Sequence, residues 1–258
     1  GFGTYRLTGQ ACAEAVQDAL AIGYRHLDTA EAYGNEKEVG QGLRESRVPR
    51  EAVWLTTKVG HDNLAPERAI RAAEASLKKL GVDYVDLLLI HWPNEGVPLF
   101  RTLDAFMKLQ NEGKTRFIGV SNFPPSLLQQ ALEDGPVICN QVEYHPFLAQ
   151  DELLAIARDA GIALVAYRPI REAAKNETLR EIGESYGKTP VQVALRWLIE
   201  QEQVAAIPKA ASPEHRRANT LSLRLGSMDA SGRAAEAPTV APRHGCSRLE
   251  LRSCTSHP

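Results

Sequence analysis

The feature that most constrains this chain is a regular alternation between short strand-like runs and helix-type patterns. Runs rich in β-branched and apolar residues lie at 1–4, 25–29, 53–58, 85–91, 117–121, 138–143, 162–167 and 204–208. The segments between them carry apolar residues at helical spacing, which predicts parallel strands joined by right-handed helical crossovers. Eight such units favour closure into a (β/α)8 TIM barrel. An open, doubly wound α/β sheet is the alternative, but no GxGxxG sequence follows an early strand.

Several residues with cap and turn chemistry mark the predicted helix boundaries. Pro66 suits the first turn of a helix that Gly81 can end in the left-handed conformation. Asn35 is predicted to cap an earlier helix through its side chain, with Glu38 returning the bond. Thr189 is predicted to cap a helix before the last strand in the same way.

The two ends of the chain differ from its middle. Residues 1–225 are predicted to form the barrel, with a truncated first strand. Residues 226–258 are rich in Ala, Ser, Arg, Pro and Gly and hold few large apolar side chains, so we predict an irregular, disordered tail. The histidines and cysteines of this tail match no closed zinc spacing, and no metal site is predicted.

The charge and the apolar content argue against several classes of partner. The chain has 30 Lys and Arg against 32 Asp and Glu and no basic stripe interleaved with aromatics, so no nucleic-acid partner is expected. The longest apolar run, around 87–90, is too short to cross a bilayer, and no membrane association is expected. Four cysteines without CxxC spacing, and no recognisable signal peptide, indicate reduced thiols in a cytoplasmic protein. We expect a monomer.

Polar and ionisable residues collect at the carboxyl ends of the predicted strands, where a barrel of this type carries its active site. They are Asp28, Lys58, His91, Ser121, Asn122, Gln141, Glu143, Tyr167 and Lys209, with Tyr33 on the loop after Asp28. Taken singly, each is explained as well by a structural ion pair, a packed histidine or a loop aromatic. Taken together at consecutive strand ends, they favour a functional site.

Four of these residues make a coherent system for delivering a proton to a carbonyl oxygen. A free tyrosine has a pKa near ~10 and is a reluctant acid at neutral pH. The ammonium group of Lys58 is expected to lower the pKa of Tyr33, and Asp28 is expected to hold Lys58 in place. A neutral His91 can donate a hydrogen bond to the carbonyl oxygen and orient it. The implied partner is a small-molecule carbonyl substrate.

A series of motifs, in order along the chain, resembles the signature of the aldo/keto reductases. They are GYRHLDTA at 23–30, YGNE at 33–36, TK at 57–58, LIHWP at 89–93, IGVSNF at 118–123, NQVEYHP at 140–146 and IPK at 207–209. Each motif is weak by itself, but the ordered set extends from residue 1 to about residue 219 and is very specific. GTYRL at 3–7 and VPR at 48–50 resemble the bacterial 2,5-diketo-D-gluconate reductases most.

The resemblance implies a role for each residue of the site. The catalytic residues would be Asp28, Tyr33, Lys58 and His91, with Tyr33 as the proton donor. The implied cofactor is NADP(H), bound by Gly3, Thr4, Ser121, Asn122, Gln141, Tyr167, Arg168, Lys209, His215 and Asn219. Tyr167 would stack on the nicotinamide ring, Lys209 would face the 2′-phosphate, and Tyr5 and Trp92 would wall the substrate pocket.

Some positions depart from the family pattern. Gly60 stands where relatives often carry an aromatic residue, which predicts a more open pocket. Arg168 stands where a serine is common, and its guanidinium is expected either to bind pyrophosphate or to face solvent. After Lys209, Ala210 and His215 replace a Ser or Thr and an Arg, which weakens the expected preference for NADPH.

More than one function remains open at this point. Reduction of small aldehydes, ketones or keto sugars to alcohols with NADPH is favoured. A lyase that uses Lys58 as a Schiff-base nucleophile is a second possibility, but pairing with Asp28 would keep the lysine protonated. A cofactor-binding barrel with a regulatory, non-catalytic role, or an inactive fragment, is a third, because both ends depart from the family pattern.

Overall fold

The structure, a computed structural model, describes residues 1–221, and within them eight strands form one sheet in sequence order. The strands β1 to β8 are Phe2–Gly3, His26–Asp28, Trp54–Val59, Val85–Ile90, Thr115–Ser121, Val137–Glu143, Ala163–Tyr167 and Val204–Ala206. Each strand pairs in parallel with the next. The predicted alternation is confirmed, and the topology is consistent with a (β/α)8 fold. The predicted tail at 226–258 lies outside the described residues.

Helices follow the strands as the periodicity predicts. The helices α1 to α9 are Gly9–Ala21, Glu36–Glu45, Pro66–Leu80, Leu99–Asn111, Pro125–Asp134, Asp151–Ala160, Glu177–Ser185, Pro190–Ile199 and Pro213–Thr220. The described part of the chain also has four 3₁₀ helices, Glu31–Tyr33, Arg50–Ala52, His61–Asn63 and Ala173–Lys175. The sequence did not predict them, because single turns carry no periodic signal. In residues 1–221 no helix has the length and apolar character that a membrane span requires.

The sheet curls until its first and last strands meet. The amino group of Gly1 donates to the carbonyl oxygen of Ala206 at 2.8 Å. The backbone N–H of Gly3 donates to the carbonyl oxygen of Pro208 at 3.2 Å. A Cβ atom at Gly3 would lie 2.8 Å from the carbonyl oxygen of Ile207, so this close approach of the two backbones requires glycine.

A small apolar layer inside the curled sheet supports the polar ends of the strands. Its buried members are Leu87, Leu89, Cys139, Val165 and Ile207. Side chains along a strand alternate between the two faces, so a residue two positions further points to the same side. His91, Gln141 and Tyr167 each follow one of these apolar residues by two positions, and so rise above the layer at the carboxyl ends of their strands. Within residues 1–221 the cysteines are free thiols, as predicted.

Most of the predicted helix boundaries are confirmed. Pro66 lies in the first turn of α3, and Gly81 ends that helix with a φ of 68°. Thr189 caps α8 and forms a complete capping box with Gln192. Both signals succeed because the cap bonds join residues that are close in sequence.

The prediction that the Asn35 side chain caps α2 is wrong. Asn35 occupies the position before the helix but makes no cap bond with its side chain. Its Oδ1 accepts from Thr29 Oγ1 at 2.8 Å, and its Nδ2 donates to the carbonyl oxygens of Thr4 and Leu7, both at 2.9 Å. Three bonds to neighbouring loops satisfy this buried amide better than one cap bond would. The side chain thereby ties the loop after β1 to the loop after β2.

Candidate active site

Lys58 is the centre of a buried polar cluster at the carboxyl ends of β2 and β3. Its side chain is 0% exposed, and its Nζ lies 2.5 Å from Asp28 Oδ1. Nζ also donates to the carbonyl oxygen of Thr29 at 2.7 Å and to Tyr33 Oη at 3.4 Å. These bonds use all three N–H donors of the ammonium group. With His91, the residues Asp28, Tyr33 and Lys58 form what we call the buried cluster.

The surroundings of Lys58 keep its side chain protonated. Burial alone would lower the pKa of Lys58, but the Asp28 carboxylate and then Tyr33 outweigh it, and the pKa is raised. A Schiff base requires a neutral amine that can reach the substrate. A buried ammonium with every donor engaged is poorly suited to that role, which argues against the lyase alternative.

Tyr33 ends the 3₁₀ helix that follows β2 and presents its hydroxyl group beside Lys58. The prediction of a lowered pKa for Tyr33 is wrong. Burial raises the pKa, and this effect exceeds the lowering by Lys58, while Asp28 raises the pKa further. Sequence reasoning counted the charge of the lysine and not the lost hydration of the phenolate. Tyr33 therefore carries its proton at neutral pH, and its oxygen accepts from Lys58, which leaves the hydroxyl hydrogen for another acceptor.

His91 lies directly after β4 and against Tyr33. The two ring centroids are 5.6 Å apart and the ring planes meet edge to face at 76°. Burial, followed by the charge of Lys58, lowers the pKa of His91 to about 4, so the imidazole is neutral at neutral pH. Neither ring nitrogen makes a hydrogen bond to another residue in 1–221, so the N–H can serve a molecule that lies beside Tyr33.

Gln141 joins the buried cluster to the next strands. Its Nε2 donates to Asp28 Oδ2 at 2.7 Å, across 113 positions of sequence. The hydroxyl group of Ser121 donates to the carbonyl oxygen of Gln141 at 2.8 Å. Asp28 therefore accepts from Lys58 through one oxygen and from Gln141 through the other, which fixes the carboxylate plane.

Asn122 continues the same chain of bonds toward β7. Its backbone has a φ of 63°, in the left-handed region that asparagine tolerates. Its Nδ2 donates to the carbonyl oxygen of His91 at 2.9 Å, and its Oδ1 accepts from Tyr167 Oη at 2.8 Å. The Tyr167 ring is thereby held over the end of the sheet.

These side chains open into a cavity of about 490 Å³, which we call the main cavity. The predicted residues that line it are Gly3, Thr4, Tyr5, Asp28, Tyr33, His91, Trp92, Ser121, Asn122, Gln141, Tyr167, Arg168 and Lys209. The structure thus brings members of the predicted catalytic, cofactor and substrate sets to a single space. Glu143, which the sequence places at a strand end without assigning it a role, also lines it, as do Ala32 and Ile207, for which no role is predicted.

Two aromatic residues stand at the open side of the main cavity. Tyr5 is 44% and Trp92 is 51% exposed, so both rings have surface that a bound molecule can contact. The rings of Tyr5 and Tyr33 are 5.1 Å apart. Gly60 does not line the main cavity; its backbone N–H donates to Glu31 Oε2 at 2.9 Å.

The remaining predicted residues do not line the main cavity. Lys58 is bonded to two residues that do line it, Asp28 and Tyr33. His215 is exposed on α9, where its backbone N–H donates to Ser212. Asn219 is buried on the same helix beside Tyr24.

The arginine after His215 is structural. Arg216 is 4% exposed, and its Nε donates to Asp18 Oδ2 at 2.6 Å. Its Nη1 donates to the carbonyl oxygens of Ala210 at 3.2 Å and Ala211 at 2.7 Å. It fixes the loop after Lys209 and ties it to α1, so its guanidinium is occupied within the fold.

A second, shallower cavity adjoins the main cavity at its rim. This rim cavity has a volume of about 430 Å³ and is lined by Arg168, Pro169, Ile170, Arg171 and Lys209. Arg168 Nη1 lies 3.2 Å from Glu143 Oε2, and Arg171 Nη1 lies 2.6 Å from Glu143 Oε1. Burial alone would raise the pKa of Glu143, but Arg171 and Arg168 outweigh it and the pKa is lowered. Arg168 was expected either to bind pyrophosphate or to face solvent, and its contact with Glu143 was not predicted.

The chemistry of both cavities fits a nicotinamide dinucleotide. Amide and hydroxyl groups of Ser121, Asn122 and Gln141 lie at the floor of the main cavity and match the donors and acceptors of a carboxamide. The phenol ring of Tyr167 lies beside them and can cover a flat ring. Half-exposed cations at the rim match phosphate groups.

The chain belongs to the aldo/keto reductase family. The model described as the aldo/keto reductase family matches residues 1–174 and 170–231. This assignment agrees with the order of the strands, with the position of the cavity at their carboxyl ends and with the resemblance of the motifs.

Several curated proteins are similar over most of their length. A 9,11-endoperoxide prostaglandin H2 reductase of Trypanosoma cruzi is 43% identical over 82% of this chain and 77% of its own. A glyoxal reductase of Bacillus subtilis is 41% identical over 84% of this chain and 79% of its own. A methylglyoxal reductase, DkgB, of Salmonella typhi is 37% identical over 91% of each chain.

Solved structures give the same family. A protein provisionally identified as a 2,5-diketo-D-gluconic acid reductase B is 38% identical, with a TM-score of 0.82 over 94% of this chain and 92% of its own. An aldo-keto reductase of Bombyx mori in complex with NADP is 31% identical, with a TM-score of 0.80 over 84% of this chain and 81% of its own.

Proposed function

We propose that this protein reduces small aldehydes, ketones or keto sugars to alcohols with NADPH, and that Tyr33 donates the proton. The observation that carries the proposal is the arrangement around Tyr33 Oη. This oxygen accepts from a lysine whose three donors are all engaged, and it faces a cavity with the free N–H of a neutral His91 beside it.

The proton transfer follows from these contacts. NADPH, when bound, supplies hydride to the carbonyl carbon of the substrate. Tyr33 passes its hydroxyl proton to the carbonyl oxygen as negative charge develops there, and the imidazole N–H of His91 orients and stabilises that oxygen. The phenolate left on Tyr33 is stabilised by Lys58, which Asp28 holds in position, until a proton returns from water.

The binding roles follow the chemistry of the lining. Ser121, Asn122 and Gln141 would hold the nicotinamide carboxamide, and Tyr167 would stack on the ring. Gly3 and Thr4 would contact the cofactor through the main cavity, and Arg168 and Lys209 through its rim. His215 and Asn219 on α9 would complete the site on the side of the adenosine. Tyr5 and Trp92 would wall the substrate end.

The substrate class rests on the relatives and on the aromatic walls. The similar proteins include reductases of glyoxal and methylglyoxal, which are small dicarbonyl compounds. Tyr5 and Trp92 give an apolar entrance that would pack against such compounds. A regulatory barrel that binds the cofactor without turnover stays the alternative, and a monomer in the cytoplasm stays the expectation.

One assay tests the proposal. Purified protein is mixed with NADPH or NADH and with glyoxal, methylglyoxal or a 2,5-diketogluconate, and the loss of cofactor absorbance is followed. We expect turnover that Tyr33→Phe lowers about 10²–10⁴-fold, because the general acid is removed. Tyr186→Phe, which removes the hydroxyl group of an exposed tyrosine at the end of α7, outside the main cavity, is the matched control. Tight cofactor binding without turnover would favour the regulatory alternative, and a fully active Tyr33→Phe variant would disprove the assigned acid.

A further inference from the structure

The carboxylate of Glu143 contacts two cations of the rim cavity, Arg168 and Arg171. Glu143 ends β6 and its side chain is 18% exposed, whereas the side chains of Arg168 and Arg171 are 52% and 53% exposed. Each guanidinium reaches Glu143 through a single Nη1 atom. The Nε2 atom of His145 lies 3.5 Å from the same carboxylate.

The turn after β7 brings the two arginines to the same side. Arg168 has a φ of 48°, in the left-handed region that a residue with a β-carbon seldom adopts. The backbone N–H of Arg171 donates to the carbonyl oxygen of Arg168 at 3.1 Å and closes the turn. Both side chains therefore start from one tight loop and end on one carboxylate.

Most of the donors of these arginines remain available. A guanidinium carries five N–H donors in a fixed plane. Within residues 1–221, Glu143 is the only group that receives a side-chain bond from Arg168 or Arg171. The two arginines exceed the single carboxylate by one positive charge, and Lys209 adds another cation to the lining of the rim cavity. A diphosphate that bridges two nucleosides carries two negative charges.

We propose that Arg171 joins Arg168 in binding the diphosphate of the dinucleotide, and that Glu143 is a positioning residue that holds both guanidiniums for it. This inference rests on the proposed function, because it takes Tyr167 as the residue that stacks on nicotinamide. Arg168 directly follows Tyr167 in the chain. In the dinucleotide the diphosphate is separated from nicotinamide by one ribose, whereas the 2′-phosphate is on the ribose of adenosine.

Glu143 holds the arginines rather than competing with the ligand for them. It lies in the sheet, where it is paired in register with Tyr167, and its carbonyl oxygen accepts from Gln150 Nε2 at 2.8 Å. The carboxylate therefore stays with the strand when a ligand arrives. Removing its charge should let the two long side chains move apart, and binding should weaken because their orientation must then be fixed on binding.

Binding of NADPH and NADH to the full-length protein, measured by calorimetry at several salt concentrations, tests this inference without using activity. Arg171→Met should weaken both cofactors about tenfold and by the same factor, because one charge-assisted bond to a group common to both is lost. It should also reduce the dependence of Kd on salt. Glu143→Gln should weaken both by about threefold, as expected when two side chains lose their anchor.

Arg180→Met is the matched control, because Arg180 is a similarly exposed arginine, on α7, that bonds to Glu177 and Glu184. Its Kd values should equal those of the wild type, and thermal unfolding checks that every variant is folded. Unchanged binding by Arg171→Met, or a loss confined to NADPH, would overturn the diphosphate assignment. Tighter binding by Glu143→Gln would make Glu143 a competitor and overturn its positioning role.

Failure of the proposed function gives a different result. A wild-type protein that bound neither dinucleotide would contradict the proposed function itself. The rim cavity would then be tested as an anion site by titrating inorganic pyrophosphate into the wild type and into Arg171→Met. Weaker binding by the variant would still support an anion site at the rim, and equal binding or none would reject it.

Discussion

The buried cluster and the rim cavity both pair basic side chains with a carboxylate, but the two pairings differ in burial and in the number of donors left free. In the buried cluster, Lys58 is fully enclosed and all of its donors are bonded to neighbouring groups. At the rim, Arg168 and Arg171 are half exposed and each gives one nitrogen to Glu143. The first arrangement fixes the orientation of a charge before any ligand arrives, and the second leaves donors for the ligand.

The difference in hydration determines what each region can do. A buried charge interacts strongly because little water screens it, but it must be paired, since an unpaired charge would be very costly. An exposed charge interacts weakly and is screened by salt. The buried cluster is thus suited to shifting protons, and the rim is suited to attracting and holding an anion. Salt should accordingly change cofactor affinity much more than the rate of the chemical step.

The largest expected effect comes from breaking the ion pair of the buried cluster. Lys58→Met should lower the free energy of unfolding by about 3–5 kcal/mol, because Asp28 would be left as a buried charge without its cation. Asp28→Asn combined with Lys58→Met should recover much of that loss, since an amide oxygen can still accept from Gln141 without carrying a charge. Urea unfolding measures both variants.

A lysine at the surface is the control for this comparison. Lys114 pairs with Glu74 and Glu112, and Lys114→Met should leave the urea midpoint close to that of the wild type. The idea of an essential buried pair would be abandoned if Lys58→Met unfolded at the wild-type midpoint, or if the double variant were less stable than the single one.

A smaller effect is expected from pH, through His91 of the buried cluster. The pKa of His91 is lowered to about 4, whereas an unfolded histidine titrates near ~6.5. Between these values the unfolded chain binds a proton that the folded ring does not, so stability falls as pH falls from about 6.5 to 4. His91→Gln should remove part of this slope, amounting to about 2 kcal/mol or less because the ring is partly exposed.

Unfolding in urea at several pH values measures the slope. His61, whose side chain is 55% exposed, provides the control: His61→Gln should leave the slope unchanged. Equal slopes for wild type and His91→Gln would mean that the imidazole has the same pKa in the folded protein as in the unfolded chain. Such a result would contradict the lowered pKa of His91.

The sequence alone predicted which strand ends meet at the main cavity, because the position of each strand is set by a pattern of neighbouring residues. Alternating patterns place each strand, and a parallel sheet brings all carboxyl ends to one side, so Asp28, His91 and Gln141 could be grouped without coordinates. The direct bond between Gln141 and Asp28 could not be predicted, because it spans 113 positions and depends on the curl of the sheet.

Two errors in the sequence-based expectations have one physical origin. Asn35 was expected to cap α2 and Tyr33 to have a lowered pKa, and both expectations considered only the nearest favourable partner. Burial changes both results. It makes Asn35 bond to the Thr29 hydroxyl group and to two loop carbonyl oxygens, and it raises the pKa of Tyr33 despite Lys58. Glu143 was placed at a strand end without a role, because its contacts with Arg168 and Arg171 join separate strands and depend on the turn after β7.

The smallest expected effect belongs to the rim, where Lys209 lines both cavities as an exposed cation. If it faces the 2′-phosphate, Lys209→Met should weaken NADPH by only about two- to fivefold, because an exposed ion pair contributes about 0.2–1 kcal/mol. NADH, which lacks that phosphate, should bind as before, and the difference should shrink in high salt because the lysine is screened. Lys78→Met, which removes an exposed lysine from α3, should change neither Kd. Equal losses for NADPH and NADH would move Lys209 from the 2′-phosphate to the diphosphate, and the rim would then hold a single anion with three cations.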